Sequence, residues 1–198
     1  RYGVRVLVDG AHAFGHIQFS IQDLRCDYYG TSLHKWLTVP LGAGFLYINK
    51  DQIADLWPLF AEDPRDSEDI LRLNHVGTYP VHTDLAIINA IDYYHKIGGS
   101  RKEARLRYLQ KYWTDQVREL SKVVVNTPVD SKRYCAIGNV GIETMGPADF
   151  AKKLLDDYQI WTVAIDRPGV RGLRITPNLF TTPRELDVLV KAIKELSA

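Results

Sequence analysis

Close to its start, the 198-residue chain carries a short β-branched run at residues 4–8 that ends directly at Asp9-Gly10. Such runs are typical of buried parallel strands, and the polar pair marks the turn at which the strand ends. In open α/β sheets, ligands bind beyond the carboxyl ends of the strands. The run therefore predicts an α/β fold with a ligand site that includes Asp9.

Hydrophobic periodicity and turn signals divide the rest of the chain. The further extended stretches that we expect lie at residues 26–31, 42–48, 123–125, 136–142, 160–165 and 172–176. The expected helices lie at residues 83–97, 100–120, 147–158 and beyond a capping box that begins at Thr182. The helix at 100–120 carries an apolar stripe that suits a link between two domains, so we place the domain boundary near residue 112.

Composition and charge exclude several classes of protein. The formal net charge is +1 and there is no basic block, so neither nucleic acid nor an anionic membrane is an expected partner. No apolar run approaches the roughly 20 residues that a transmembrane helix needs. Two cysteines, Cys26 and Cys135, stand far apart, which indicates free thiols in a reducing cytoplasm rather than a disulfide framework.

A lysine with apolar and aromatic neighbours in the sequence follows the first strand. Lys35 comes 26 residues after Asp9, with Ser32 and His34 before it and Trp36 after it. An amine becomes a nucleophile when it loses its proton, and partial burial and nearby positive charge favour that loss. A carboxylate, a hydroxyl, an imidazole and an amine in this arrangement are the groups that a pyridoxal 5′-phosphate (PLP) site needs.

On these residues the chain resembles the class V aminotransferase family of fold-type I PLP enzymes, in its isopenicillin N epimerase-like branch, and more distantly the cysteine desulfurases. The resemblance implies the C-terminal part of the PLP-binding large domain, a mostly parallel sheet with helices, over residues 1–112. A small C-terminal α/β domain is expected over residues 113–198. Relatives carry a long segment before the first strand, so we expect this chain to be the C-terminal part of a longer enzyme.

The resemblance also implies roles for the residues of the motif. Lys35 is expected to form the Schiff base with PLP and later to move the α-proton. Asp9 is expected to pair with the pyridine nitrogen, and His12 to contact the phenolic oxygen of the cofactor. Ser32 and His34 are expected to hold the phosphate.

A metal site is not expected at the histidine pair. His12 and His16 are spaced as i, i+4, which could suggest zinc. Gly15 lies between them and no third ligand is near in the sequence.

Gly77-Thr78 comes shortly before the helix expected at 83–97. Backbone N–H groups and a hydroxyl at such a place suit an anion. In the resembled family this segment, Asn74 to Thr78 here, binds the cofactor phosphate of the partner subunit. The resemblance thus implies a homodimer with shared active sites.

Arg174 lies in the strand expected at 172–176, between apolar residues. A guanidinium fork suits bidentate capture of a carboxylate. Arg174 resembles the arginine with which the family binds the α-carboxylate, so the expected substrate is an amino acid with a free carboxylate. Arg171 stays open as a rival for this role.

The expected function is PLP-dependent chemistry at the α-carbon of an amino acid, of the class V aminotransferase type and isopenicillin N epimerase-like. Transamination, epimerisation and loss of a β-group stay open. Residues 162–170 hold no cysteine and Cys135 stands at the start of the strand expected at 136–142, so persulfide chemistry is not expected, although a lyase of the cysteine desulfurase-like group stays an alternative. The other alternative is a truncated, non-catalytic PLP-fold dimerisation module.

Overall fold

The computed structural model describes residues 2–61, 64–74, 77–78 and 81–198. The chain divides into two compact units, Arg1–Gly99 and Ser100–Ala198. The change of unit therefore comes earlier than residue 112, the boundary expected from the sequence.

The first unit contains a three-stranded sheet and one long helix. Its elements are β1 (Leu7–Asp9), α1 (Ile21–Leu24), β2 (Tyr28–Ser32), β3 (Gly44–Ile48) and α2 (Val81–Ile97), with 3-10 turns at Lys50–Gln52 and Ile70–Leu73. The strand order is β1-β2-β3. β1 runs parallel to β2, and β2 runs antiparallel to β3, so the described sheet is mixed rather than mostly parallel.

The first strand is shorter and more exposed than the sequence predicts. β1 covers only Leu7–Asp9, and Val4, Val6 and Leu7 are 75%, 48% and 66% exposed. β1 lies at the edge of the described sheet and pairs with β2 alone. A β-branched run indicates a strand, but its burial depends on which elements cover it, and the prediction of a buried strand is therefore wrong for this structure.

The core of the first unit joins the loop after β2 to α2. Leu33, Leu37 and Val39 of the loop are buried together with Ala90 of α2. The partly buried side chains packed against them are Phe14, Ala43, Phe45, Ile87 and Tyr94. The loop that carries Lys35 is thus anchored by its own apolar residues.

The second unit is a small antiparallel α/β structure. Its elements are α3 (Gly99–Val117), β4 (Val123–Val125), β5 (Gly138–Ile142), α4 (Pro147–Tyr158), β6 (Val163–Arg167), β7 (Val170–Ile175) and α5 (Pro183–Ser197), with a 3-10 turn at Ser131–Arg133. The strand order is β4-β5-β7-β6 and every pair is antiparallel. α4 spans the predicted residues, and α5 begins at the predicted capping box.

The buried face of α3 explains why the change of unit falls at the start of this helix. Leu109, Trp113 and Val117 are buried in the core of the second unit. A helix whose apolar face packs on one core folds with that core as a single body. The apolar stripe therefore marks packing within the second unit.

Among the described helices, none has both the length and the apolar character that crossing a bilayer requires.

Candidate functional site

Asp9 ends β1 at the carboxyl edge of the first sheet. Its Oδ1 accepts a hydrogen bond from the backbone N–H of Ala11 at 3.0 Å, which closes the turn after the strand. Gly10 N–H donates to Gly30 O at 2.8 Å and so continues the pairing of β1 with β2. A Cβ atom at Gly10 would overlap the phenol ring of Tyr29, so this backbone approach requires glycine.

The side chain of Tyr29 supports the turn after Asp9. This role was not predicted from the sequence. Its side chain is fully buried, and its hydroxyl donates to Gly10 O at 3.3 Å. Burial, and to a smaller extent the charges of Cys26 and Asp9, raise the pKa of Tyr29 to about 12. The phenol therefore stays protonated and serves as a fixed donor.

The loop after β2 is closed by backbone hydrogen bonds. Leu33 N–H donates to Ala43 O at 3.0 Å, and Val39 N–H donates to Leu33 O at 3.2 Å. Thr38 adopts a φ of 66°, in the left-handed region, which costs a β-branched residue roughly 1–3 kcal/mol. Its buried neighbours Leu37 and Val39 hold it in this conformation.

The polar residues of the same loop stay half-buried. Ser32 is the last residue of β2, and His34 and Lys35 follow it. Within the described part of the chain, none of these three side chains makes a hydrogen bond or an ion pair. Their hydroxyl, imidazole and amine are therefore available to a ligand.

The turn after Asp9 packs directly on this loop. Trp36 Nε1–H donates to His12 Nδ1 at 3.2 Å, and the rings of His16 and Trp36 are stacked with centroids 3.9 Å apart. A Cβ atom at Gly15 would lie 2.9 Å from Leu37 N, so the two backbones touch. The turn that carries Asp9 and His12 is thus brought together with the loop that carries Ser32, His34 and Lys35.

Gly77 and Thr78 lie exposed before α2. Gly77 has a φ of 55°, and Thr78 makes no hydrogen bond to the described residues. His75 and Val76, which belong to the same predicted segment, lie outside the described residues. The structure does not bring Thr78 into hydrogen-bond contact with the turn and loop described above.

Arg174 lies in β7 of the second unit, opposite Asn139 of β5 and Val163 of β6. Its Nε is buried and has no hydrogen-bond partner among the described residues. The Oγ1 atom of Thr162 is also buried without a hydrogen-bond partner among the described residues. Thr162 and Arg174 line the same cavity, which has a volume of about 420 Å³. A buried donor without a partner is costly unless a ligand satisfies it.

Arg171, the rival of Arg174, is already paired. Its Nε and Nη2 donate to the two carboxylate oxygens of Asp166 at 2.8 and 3.3 Å, and both side chains are exposed. The carboxylate raises the pKa of Arg171 further above its ordinary value. The geometry therefore favours Arg174 as the donor that is left for a ligand.

Cys135 has the environment of an unreactive thiol. It is 6% exposed, and burial raises its pKa to about 11, although the nearby Arg107 opposes the shift. A thiol with so high a pKa forms little thiolate at neutral pH. Over the described residues, no group of three or more His, Cys, Asp or Glu side chains could hold a metal ion.

Comparison with known proteins gives a family and a fold. The Aminotransferase class-V family matches residues 1–169. An isopenicillin N epimerase from Amycolatopsis lactamdurans is 34% identical to the chain, over 100% of this chain and 54% of its own length. The chain therefore spans about half the length of such relatives.

Solved structures share the fold. The apo structure of a cysteine desulfurase from Thermococcus onnurineus NA1 has a TM-score of 0.84 at 24% identity, over 98% of this chain and 53% of that chain. A mutant of C-DES with glycine covalently linked to its PLP cofactor has a TM-score of 0.83 at 19% identity, over 96% and 51%. These likenesses confirm the α/β, fold-type I class, and the family match together with the 34% identical relative shows that the chain belongs to the class V aminotransferase family.

Proposed function

We propose that this chain carries the cofactor-binding lysine and the carboxylate-binding arginine of a PLP-dependent enzyme that acts at the α-carbon of an amino acid. The observation that carries the proposal is the packing of the Asp9–His12 turn on the loop of Lys35, through Trp36 and Gly15. The 34% identical isopenicillin N epimerase supports an epimerase-like reaction.

PLP is the cofactor of the class V aminotransferase family, and the side chains around Lys35 fit it. Asp9 supplies a carboxylate for the ring nitrogen, and Lys35 supplies an amine for the aldehyde. Ser32 and His34 supply a hydroxyl and an imidazole that make no hydrogen bond to the described residues, as a phosphate requires.

When bound, PLP supplies an electron-accepting ring that stabilises negative charge on the substrate's α-carbon. Asp9 would keep the ring nitrogen protonated, because a neighbouring carboxylate favours the charged form. Lys35 would hold the cofactor through Nζ, and its amine, when free, would remove the α-proton of the substrate. Arg174 orients the substrate by donating hydrogen bonds to its carboxylate, with Thr162 as a second donor in the same cavity.

A lyase reaction of the cysteine desulfurase-like group is the second candidate. The fold shared with the Thermococcus cysteine desulfurase favours it. A persulfide-forming cysteine is missing from residues 162–170, and Cys135 is buried with a raised pKa. A lyase of this kind would therefore act without a thiol nucleophile from these positions.

The test is to trap the cofactor on the protein. Reduction of the PLP-loaded, full-length protein with borohydride, followed by peptide mapping, should place the label on Lys35. Lys35→Ala should abolish labelling, whereas Lys50→Ala, a change at an exposed lysine of a 3-10 turn, should leave it intact. Label on another lysine would overturn the proposal.

A further inference from the structure

We propose that Trp36 is a positioning residue that sets the tautomer of His12, so that the neutral imidazole presents its Nε2–H as a hydrogen-bond donor. The consequence for the cofactor rests on the proposed function, while the tautomer is argued from the contacts of Trp36 with His12 and of His16 with Trp36 and with the backbone of His12.

The indole N–H can only donate, and this fixes the direction of the hydrogen bond between Trp36 and His12. Trp36 Nε1 lies 3.2 Å from His12 Nδ1. An indole nitrogen is a donor only, so His12 Nδ1 must accept with its lone pair. In the neutral imidazole the single ring proton then lies on Nε2.

His16 holds the indole in this position. The His16 ring is stacked on Trp36 at 3.9 Å with 5° between the ring planes, and both residues are 6% exposed. Turning the indole away would break both the stack with His16 and the hydrogen bond to His12 Nδ1, which is costly at a buried position.

His16 itself takes the opposite tautomer. Its Nδ1 lies 2.8 Å from the backbone oxygen of His12. A carbonyl oxygen only accepts, so His16 Nδ1 carries a proton and, in the neutral ring, Nε2 does not. The two histidines of the turn are thus expected to differ, with Nε2–H at His12 and Nδ1–H at His16.

The tautomer decides what His12 offers to a ligand. With Nε2 protonated, the ring donates to an oxygen such as the phenolic oxygen of PLP. With the proton on Nδ1, His12 Nε2 would carry a lone pair instead, and the hydrogen bond from the indole to Nδ1 would be lost. Trp36, next to Lys35 in the sequence, therefore prepares His12 before a cofactor binds.

Imidazole nitrogen NMR tests the inference on the cofactor-free, full-length protein labelled with ¹⁵N-histidine. At about pH 8.5, roughly two units above the ordinary imidazole pKa, long-range ¹H–¹⁵N correlations distinguish the two tautomers. His12→Gln and His16→Gln assign the two rings by loss of their signals. We expect Nε2–H at His12 and Nδ1–H at His16; Nδ1–H or an even mixture at His12 would overturn the inference.

Trp36→Phe keeps an aromatic ring beside His16 but removes the N–H. We expect His12 to become a mixture of tautomers and PLP affinity, measured by equilibrium titration, to fall about two- to tenfold. An unchanged His12 tautomer in the folded variant would contradict the role of Trp36. If the variant does not fold, the wild-type spectrum alone decides.

The proposed function and the inference on the His12 tautomer can be disproved independently of each other. The tautomers are measured without PLP, so the expected spectrum together with reductive labelling elsewhere than Lys35 would remove the proposed function and leave the inference standing. Labelling at Lys35 with the wrong His12 tautomer would remove the inference alone.

Discussion

At the scale of single residues, the absence of a Cβ atom at Gly10 allows the backbone after Asp9 to lie close to β2. The backbone of Gly10 hydrogen-bonds to β2 while the buried ring of Tyr29 lies where a Cβ atom would be. Packed interiors accommodate added atoms only by moving side chains or backbone.

Gly10→Ala should therefore lower the free energy of unfolding by about 1–3 kcal/mol. Gly30→Ala is the matched control on the neighbouring strand, because its added Cβ would meet only Leu46 Cδ1 at 3.9 Å, an ordinary contact. Denaturant unfolding of both variants measures the difference. Equal stability of the two variants would contradict the overlap with Tyr29.

The two arginines of β7 give a second pair at this scale. Arg174→Ala should raise KM for the amino acid substrate by roughly 10- to 150-fold, since a hydrogen bond to a charged group contributes about 1.5–3 kcal/mol. PLP binding should persist. Arg171→Ala loses only the exposed pair with Asp166 and should leave KM unchanged. Steady-state kinetics of both variants compare the roles, and a rise in KM confined to Arg171→Ala would reverse the assignment.

At the scale of elements, α5 begins with a complete capping box. Thr182 N–H donates to Glu185 Oε2 at 2.7 Å, and Glu185 N–H donates to Thr182 Oγ1 at 3.3 Å. The backbone and hydroxyl hydrogen bonds from Thr182 lower the pKa of Glu185 below its ordinary value of 4.5. The stability that this contact contributes is thus present above pH 4.5 and is lost as the pH falls through the lower, folded-state pKa.

Thr182→Ala should lower the free energy of unfolding by about 1 kcal/mol at neutral pH, and the loss should shrink below pH 4.5 as Glu185 is protonated. Thermal unfolding between neutral and acidic pH measures the loss. Glu185→Gln keeps a capping side chain without a titrating group, so in that background the effect of Thr182→Ala should no longer change over this range. A loss that stays constant with pH in the wild-type background would disprove the coupling.

At the scale of the whole molecule, we propose a homodimer in which Gly77-Thr78 of one subunit binds the cofactor phosphate of the other. Thr78 is exposed and makes no hydrogen bond within the described chain, as such a role requires. In this arrangement neither subunit has a complete site alone, so PLP affinity depends on dimerisation.

Mixing full-length Thr78→Val with Lys35→Ala subunits tests the sharing of sites. Each mixed dimer should hold one site with both changes and one with neither, so about a quarter of all sites are intact in a one-to-one statistical mixture. Activity of the mixture should exceed the average of the two separate variants. Mixed dimers, shown to form by mass spectrometry, that regain no activity would mean that Thr78 does not serve the partner's site.

Local sequence signals were sufficient to predict the features that depend on residues close to each other in the chain. Pro147 and Thr182 predicted the first turns of α4 and α5, because caps act within a few residues. The motif of Asp9 and Lys35 indicated the class V aminotransferase family, which the comparisons confirm. The roles of the individual site residues stay predictions.

Only the tertiary structure decided which distant residues meet. The exposure of β1 and the change of unit at Gly99 depend on which elements cover Leu7 and which pack against Trp113, and periodicity does not identify those elements. The contacts of Tyr29 with Gly10 and of Trp36 with His12 are also long-range. Their physical cause is close packing, which places a donor or a ring by the shape of the whole unit rather than by the residues beside it in the chain.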